Sequence, residues 1–344
     1  MNEFFTCNSF FDEDFEIKEK FTIIQRQYIP IDKNQIKPES VSYKCEWTPV
    51  SIDIEKPFVI VPIRDNSTLL QYTLNNFHEN RFFDYVNVII VDDRSEENLL
   101  EIVKKYPVSF LKTHSEFGFN FSMLNNIPSL LCHKLGSKSV IFWNSDLWID
   151  KIEYFLEFLE LHKLEESTIS GSKLLYPYDT LHEDHSVNIK THFPDKIDGS
   201  YRGTIQFGGS RWTPQAIQSK SGPVYLPLPF HFRRFADKED NRVNCNYGTE
   251  FVTGALQMVD LEWFIKRGGF NPSLPKVFQD VDLCLRATEE DKNVMYFGKN
   301  IHFFHDESYN HYSNKDQEKM DLQFYIDQML FAKIWKERII PILF

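Results

Sequence analysis

The chain has 344 residues, 42% of them hydrophobic and 26% charged, a composition too apolar for a chain that stays disordered. Its 38 Lys and Arg against 50 Asp and Glu give a formal charge of −12, the opposite of what a protein bound along a nucleic-acid backbone carries. The five cysteines, Cys7, Cys45, Cys132, Cys245 and Cys284, form no Cys-x-x-Cys pair, so neither a structural zinc site nor a disulfide framework is expected.

The first ~55 residues read as polar and irregular as far as Glu55-Lys56-Pro57. Phe4, Phe5, Phe10, Phe11 and Phe15 stand there among acidic residues, as aromatics packed on the main domain or as a partner-binding segment. The N-terminus lacks the basic-then-apolar pattern of a signal peptide. No apolar run approaches the ~20 residues that span a bilayer. A cytoplasmic protein is expected, at most peripheral to the inner face of a membrane.

Regular structure is expected from Phe58. Phe58–Ile63, Val86–Val91 and Ser139–Trp143 are continuous apolar runs of strand length, as in strands buried on both faces. Between them, Leu70, Leu74 and Phe77 share a helix face, and so do Leu99, Ile102, Val103 and Tyr106, with Ser95 as the expected N-cap. This alternation predicts an α/β fold with a mostly parallel, helix-covered sheet. In such sheets ligands bind beyond the carboxyl ends of the strands. Residues 176–250 are rich in Gly, Pro, His and Asp and read as irregular binding loops. Leu322, Tyr325, Ile326, Met329, Leu330 and Trp335 predict a closing amphipathic helix.

The strand ends carry the chemistry. Pro62-Ile63-Arg64-Asp65 follows the first strand and Asp92-Asp93-Arg94-Ser95 the second. Carboxylates there accept hydrogen bonds from ribose or base, or one of these residues caps the next helix. No Gly-x-Gly-x-x-Gly and no P-loop is present, so a bound diphosphate needs another counter-charge, such as a divalent cation held by carboxylates. Asn144-Ser145-Asp146 ends the third strand in a short acidic turn that suits Mg2+ or Mn2+. Further on, Asp280 and Asp282 lie two apart: on a strand they share a face, on a helix start they diverge by roughly half a turn. Asp280 is expected to act as general base and Asp282 to be mainly structural. His302 and His305 are three apart in an apparent strand, so they are not expected to share a metal. His182, His185 and His192 read as a solvated loop.

Several segments, in order over roughly residues 57–310, resemble one family, the GT-A fold glycosyltransferases, and within it the inverting family 2. Val88-Ile-Ile-Val-Asp-Asp-Arg-Ser95 is similar to the family's Val-Asp-Asp-Gly-Ser turn. Phe119–Asn126 resembles the helix before the metal motif, and Phe142-Trp-Asn-Ser-Asp146 stands where Asp-x-Asp occurs. Thr253-Gly-Ala255, Gly268-Gly-Phe270 and Phe278-Gln-Asp-Val-Asp-Leu-Cys-Leu-Arg286 resemble acceptor-side segments. His305-Asp-Glu-Ser308 resembles a His-x-x-Ser after the last core strand. Gly171–Pro177 and His231-Phe-Arg-Arg234 look like enzymes that build bacterial surface polysaccharide.

The resemblance implies a GT-A domain over 56–312, with a nucleotide-sugar half near 56–150 and an acceptor half near 151–312. A residue 1–55 extension precedes it and a helical tail over 313–344 follows. It implies that Pro62, Arg64, Asp92, Asp93, Asn125, Asn144 and Asp146 bind the nucleotide sugar, and that Gly254, Asp282 and Arg286 lie on the acceptor side. Asp280 takes the base position. Asp146 and His305 hold the Mn2+ or Mg2+ ion. The expected partners are a nucleotide-sugar donor and a glycan or lipid-linked acceptor, with no nucleic acid; a homo-oligomer stays open. Two departures stand out: Asn144 replaces the first Asp of Asp-x-Asp, and Gln279 replaces a Glu beside the base. They keep open a non-catalytic nucleotide- or glycan-binding relative. A nucleotidyltransferase is the third reading, against which speaks the missing glycine-rich basic loop.

Overall fold

The computed structural model describes residues 17–32, 35–178, 193–196, 198–219, 222–307 and 314–339. The phenylalanines up to Phe15, Cys7 and the histidines His182, His185 and His192 lie outside the described residues. In chain order the elements open with β1 (Lys20–Asp32), β2 (Gln35–Thr48), β3 (Phe58–Ile63), α1 (Ser67–Glu79), β4 (Asn87–Asp93), α2 (Leu100–Val103) and β5 (Ser109–His114). Then come α3 (Phe121–Lys134), β6 (Ser139–Trp143), β7 (Leu147–Ile149), α4 (Ile152–Leu164), β8 (Ile169–Ser172), β9 (Leu174–Leu175) and β10 (Ile205–Phe207). β11 (Ser210–Ser219), β12 (Gly222–His231), β13 (Asn246–Gly248), β14 (Leu256–Asp260), α5 (Leu261–Lys266) and α6 (Gln279–Glu289) follow. The last elements are β15 (Val294–Phe297), β16 (Phe303–His305), α7 (Asn314–Ile334) and α8 (Lys336–Ile339).

The fold is α/β. Among the described residues the main sheet has the order β1-β2-β5-β4-β3-β6-β14-β8-β15-β13. At its centre β5, β4, β3 and β6 are mutually parallel, which is why β3 and β4 are near-continuous apolar runs. β14 enters antiparallel between β6 and β8, and β15 returns parallel to β8. β1, β3, β4, β5, β6, β8 and β15 therefore run one way and β2, β13 and β14 the other. α1 buries Leu70, Leu74 and Phe77 as their spacing requires, and the Asn66 side chain caps it by accepting from Leu69 N. α3 lies against β3, β4 and β6, and α4 against β7, β8 and β15. A smaller sheet, β10-β9-β16-β7, stands beside the main one.

Three local expectations need correction. Within the segment read as irregular, β1 and β2 pair antiparallel and extend the sheet through the pairing of β2 with β5. Phe21, Ile23, Val41, Tyr43, Cys45 and Trp47 are buried at every second position, the period-two pattern of a strand with one covered face. Within 176–250, β11 and β12 pair over Ser210↔His231 to Ser219↔Gly222. Pro214, Pro223, Pro227 and Pro229 are tolerated there because each strand of a two-stranded ribbon has a free edge. Ser95 does not cap α2, whose N-cap is Leu99 without a side-chain bond.

α7 buries Ile326, Asp327, Leu330 and Phe331, with Trp335 just beyond its end, while Leu322 and Met329 stay exposed. Among the described residues no helix is long and apolar enough to cross a membrane.

Candidate functional site

The parallel strands β3, β4 and β6 end at one edge, and the segments leaving that edge are laced together. Asp65 and Asn66, after β3, take left-handed backbone at φ 51° and 61°. Ser95 Oγ accepts from Asp65 N at 2.7 Å, and Asp65 Oδ1 accepts from Glu96 N at 2.7 Å. Glu97 accepts from Asn66 N and Ser67 N, both at 2.9 Å. The loops after β3 and β4 are thereby one unit, and Ser95 serves it as a bridge.

Asp92 and Asp93 close β4 and are both buried. Asp92 Oδ1 accepts from Ser95 N at 2.8 Å, and its Oδ2 lies 3.5 Å from Lys112 Nζ. Asp93 is gripped by its neighbour: Arg94 Nε donates to Oδ1 at 2.7 Å and Nη2 to Oδ2 at 3.0 Å. Burial opposes the Arg94 charge, but the hydrogen bond to Asp93 overcomes it and raises the guanidinium pKa. Pro62 is the half-buried residue of β3, and Arg64 is half exposed beside Asp65, Nε to Oδ2 3.8 Å.

The turn after β6 is set from three sides. Thr73 Oγ1, on α1, donates to Ser145 O at 2.6 Å. Asn144 N donates to Ala255 O at 3.0 Å, and Asp306 N to Asp146 O at 3.0 Å. β7 pairs antiparallel with β16 so that His305 faces Leu147, which carries the imidazole to the preceding residue, Asp146. His305 Nε2 stands 3.3 Å from Asp146 Oδ1 and 3.3 Å from Asn144 Nδ2. Burial alone disfavours a charged imidazole, but Asp146 outweighs it and His305 is raised above its ordinary pKa. Its Nδ1 is buried without a hydrogen-bond partner among the described residues.

These atoms fit a divalent cation in part. Two donors bound side by side to a small divalent ion at about 2.1 Å stand about 3 Å apart, close to the 3.3 Å between Asp146 and His305. The donor set is one carboxylate and one imidazole; among the described residues no group of three or more His, Cys, Asp or Glu could hold a metal. His302 takes no part: its Nε2 lies 3.0 Å from Asp150 Oδ2, and burial lowers its pKa to about 4.

On the other side of the Asn144–Ala255 bond lies Asp280, in the first turn of α6. Its Oδ2 accepts from Gly254 N at 2.7 Å and its Oδ1 from Val281 N at 2.8 Å. Burial raises the pKa of Asp280 against the pull of these two donors.

Helix geometry separates the remaining residues from this group. Asp282 turns inward, where Oδ2 accepts from Arg286 Nε at 3.0 Å and Oδ1 from Trp335 Nε1 at 3.0 Å. Arg286 also donates to Arg267 O at 2.8 Å and Gly269 O at 2.6 Å, fixing the Gly268-Gly269 turn. Asn125 is fully buried inside α3; its Nδ2 donates to Phe121 O at 2.8 Å and its Oδ1 has no partner among the described residues. Gln279, beside Asp280, likewise buries an Oε1 without a partner among them.

Sequence reasoning misses a cluster next to His305. Arg234 pairs with Glu307, and Tyr176 OH donates to Glu307 Oε2 at 2.9 Å while accepting from Arg234 Nε at 2.9 Å. The Arg234 guanidinium lies 4.7 Å from the Phe193 ring centre and 5.4 Å from that of Phe235. Burial works against the Glu307 charge, but Arg234 beside it lowers the carboxyl pKa overall. The one available signal is the pair of basic residues in His231-Phe-Arg-Arg234; the partner of Arg234, 73 positions away, has none.

No protein-family model matches the sequence, and no curated protein matches it. The chain is similar to the crystal structure of GalNAc-T7 with UDP, GalNAc and Mn2+, at 11% identity and TM-score 0.46, over 73% of this chain and 43% of that one. It is also similar to the mannosyltransferase PcManGT from Pyrobaculum calidifontis in complex with GDP-Man and Mn2+, at 13% identity and TM-score 0.44, over 83% and 72% of the two chains. A third structure, S. aureus TarS 1-349, is matched at 17% identity and TM-score 0.42, over 73% of this chain and 60% of that one. This chain thus spans under half the length of the first of these and under two thirds of the third.

Proposed function

We propose that the protein is a GT-A type, inverting glycosyltransferase that moves a sugar from a nucleotide-sugar donor to a hydroxyl of a glycan or lipid-linked acceptor. The observation that carries this reading is a chain of contacts at one edge of the parallel sheet. It runs from His305 and Asp146 through Asn144 and the Ala255 carbonyl to Gly254 and Asp280. Carboxyl edges of parallel strands are where open α/β sheets hold ligands. A metal-suited pair and a candidate base are joined there through one short backbone segment.

The nucleoside would lie over the joined β3 and β4 loops. Asp92 is held by Ser95 and Lys112, and Arg64, half exposed beside Asp65, would line the base. Asp93 would present a carboxylate already oriented by Arg94. Asn144 would offer its amide to the ribose. A divalent cation on Asp146 and His305, Mn2+ or Mg2+, would neutralise the diphosphate as it leaves.

Asp280 takes the acceptor hydroxyl proton. The acceptor oxygen then bonds to the anomeric carbon as the bond from that carbon to the diphosphate oxygen breaks, and the electron pair departs with the nucleoside diphosphate. Backbone N–H donors hold the Asp280 carboxylate in one place, so that orientation contributes to the rate. Biosynthesis of a bacterial surface polysaccharide, capsule or O-antigen among them, is the role we favour, supported by the resemblance of Gly171–Pro177 and His231–Arg234.

The reading is tested by thermal-shift binding of UDP, GDP, dTDP and CDP, each with and without MnCl2. One nucleotide should stabilise the wild-type chain more with Mn2+ than without, and Asp146→Ala should erase that difference. No stabilisation by any of them would contradict the proposal.

A further inference from the structure

The C-terminal helices grip the candidate base from behind. Asp327, Phe331 and Trp335 recur at every fourth residue, so they lie along one stripe of α7 and its last turn. Each meets the segment that carries Asp280. The Asp327 carboxylate accepts from Lys276 N at 2.8 Å and Val277 N at 2.9 Å. The Phe331 ring stacks on Phe278 at 4.9 Å between centres and 25° between planes. Trp335 Nε1 donates to Asp282 Oδ1 at 3.0 Å. The three contacts fall before and after Asp280 and leave its own carboxylate free for Gly254.

The grip extends to the other side of that hydrogen bond. Arg338 Nη2, on α8, donates to Glu250 Oε1 at 2.7 Å, four residues before Gly254. Glu250 Oε2 in turn accepts from Trp212 Nε1 at 2.7 Å, at the base of the β11–β12 hairpin. One continuous stretch, 327–338, therefore ties both strands of chain that meet at Gly254 N–H and Asp280. Phe278 itself has φ 66°, a left-handed conformation that a bulky residue adopts only when its surroundings impose it. The stacked Phe331 and the two amides held by Asp327 are those surroundings.

We infer that the C-terminal helical segment is a clamp that positions Asp280, with Asp327, Phe331 and Trp335 as positioning residues for the transfer step; this rests on the reading of Asp280 as the base. The clamp acts on orientation, not on donor binding, so its loss should lower kcat and spare KM for the donor.

The test uses full-length Trp335→Phe and Asp327→Asn. Trp335→Phe keeps an aromatic ring but removes the indole donor to Asp282, and Asp327→Asn keeps the side-chain shape but weakens the acceptor of the Lys276 and Val277 amides. Amide hydrogen exchange is measured on 250–256 and 276–283, with the strands β3, β4 and β6 as internal reference, alongside sugar-nucleotide turnover. The clamp predicts faster exchange confined to those two segments, together with a kcat reduced about 10-fold at unchanged donor KM. Unchanged exchange there, or an increase spread equally over the reference strands, overturns it. So does wild-type kcat in variants whose two segments have loosened. Asp280→Asn separates the two readings: if it turns over as wild type, the base assignment falls, while the exchange pattern still decides whether 327–338 clamps the segment.

Discussion

The amide of Gly254 donates to Asp280 Oδ2 across 2.7 Å, and a Cβ built on Gly254 would stand 3.1 Å from Asp280 Cβ and 3.3 Å from that same oxygen. Gly254 does not have a positive φ. Glycine is needed at this position for room, not for backbone freedom. Gly254→Ala should push the Asp280 side chain aside at an overpacking cost of about 1–3 kcal/mol. Turnover should fall by about 10-fold or more while nucleotide binding is kept. Steady-state kinetics beside calorimetric binding of the nucleoside diphosphate checks the separation.

Asp280→Asn should fold and bind donor but lose transfer, because an amide cannot take the hydroxyl proton. Burial raises the Asp280 pKa. A base works deprotonated, so kcat should rise with pH through that pKa, and the acid limb should lie above the range of an exposed carboxylate. A pH–rate profile with no acid limb above that range would contradict the assignment.

Asp327 makes a separate prediction about stability. Burial outweighs its N–H donors and lifts its pKa from 3.8 to about 7. In that window the folded state holds a proton that the unfolded state has released. Stability from this residue is therefore complete below about pH 4 and declines as the pH rises toward 7. Gln323, which donates to Oδ1 at 2.6 Å, and Lys276 are the groups facing it. Asp327→Asn should flatten the decline. Urea midpoints of both proteins at pH 4.5, 6 and 7.5 measure the difference, which should narrow as the pH rises.

The Arg234–Glu307 pair should be costly to break from one side. Both side chains are largely buried, at 10% and 15% exposure. Arg234→Met strands the Glu307 charge and should cost about 3–5 kcal/mol. The double variant Arg234→Met with Glu307→Gln should recover much of that loss in chemical denaturation, since neither charge is then left unpaired.

Removing either metal-suited side chain should act on the cation, not on the fold. His305→Ala and Asp146→Ala should each abolish the extra stabilisation that Mn2+ gives the nucleotide-bound chain. EDTA should do the same to the wild type. Calorimetry with MnCl2 in the presence of the nucleotide reads the affinity directly.

What the sequence reveals follows from how local each cause is. β3, β4, β6 and α1 are legible because their apolar spacing is set by the layers on either side. The β1–β2 hairpin carries a period-two signal at Phe21, Ile23, Val41, Tyr43, Cys45 and Trp47, but the polar residues between mask it. β11 and β12 hide behind their prolines. Ser95 reads as a cap because capping is local, whereas its acceptor role toward Asp65 N needs two strands placed side by side. Arg234 with Glu307, and Asp327 with Lys276 and Val277, join positions far apart in the chain, and no spacing rule finds such pairs. The divergence of Asp280 from Asp282 was open in the sequence, and the helix start at Gln279 resolves it.

The central claim is tested most directly by turnover. Wild type, Asp146→Ala and Asp280→Asn are incubated with UDP-, GDP-, dTDP- and CMP-sugars, with and without Mn2+, and release of free nucleotide is followed. The account predicts release of a nucleoside diphosphate from one donor, dependent on Mn2+, abolished by Asp146→Ala and strongly reduced by Asp280→Asn. Release that proceeds equally in Asp146→Ala and Asp280→Asn, or binding of a nucleotide without turnover of any donor, would contradict it.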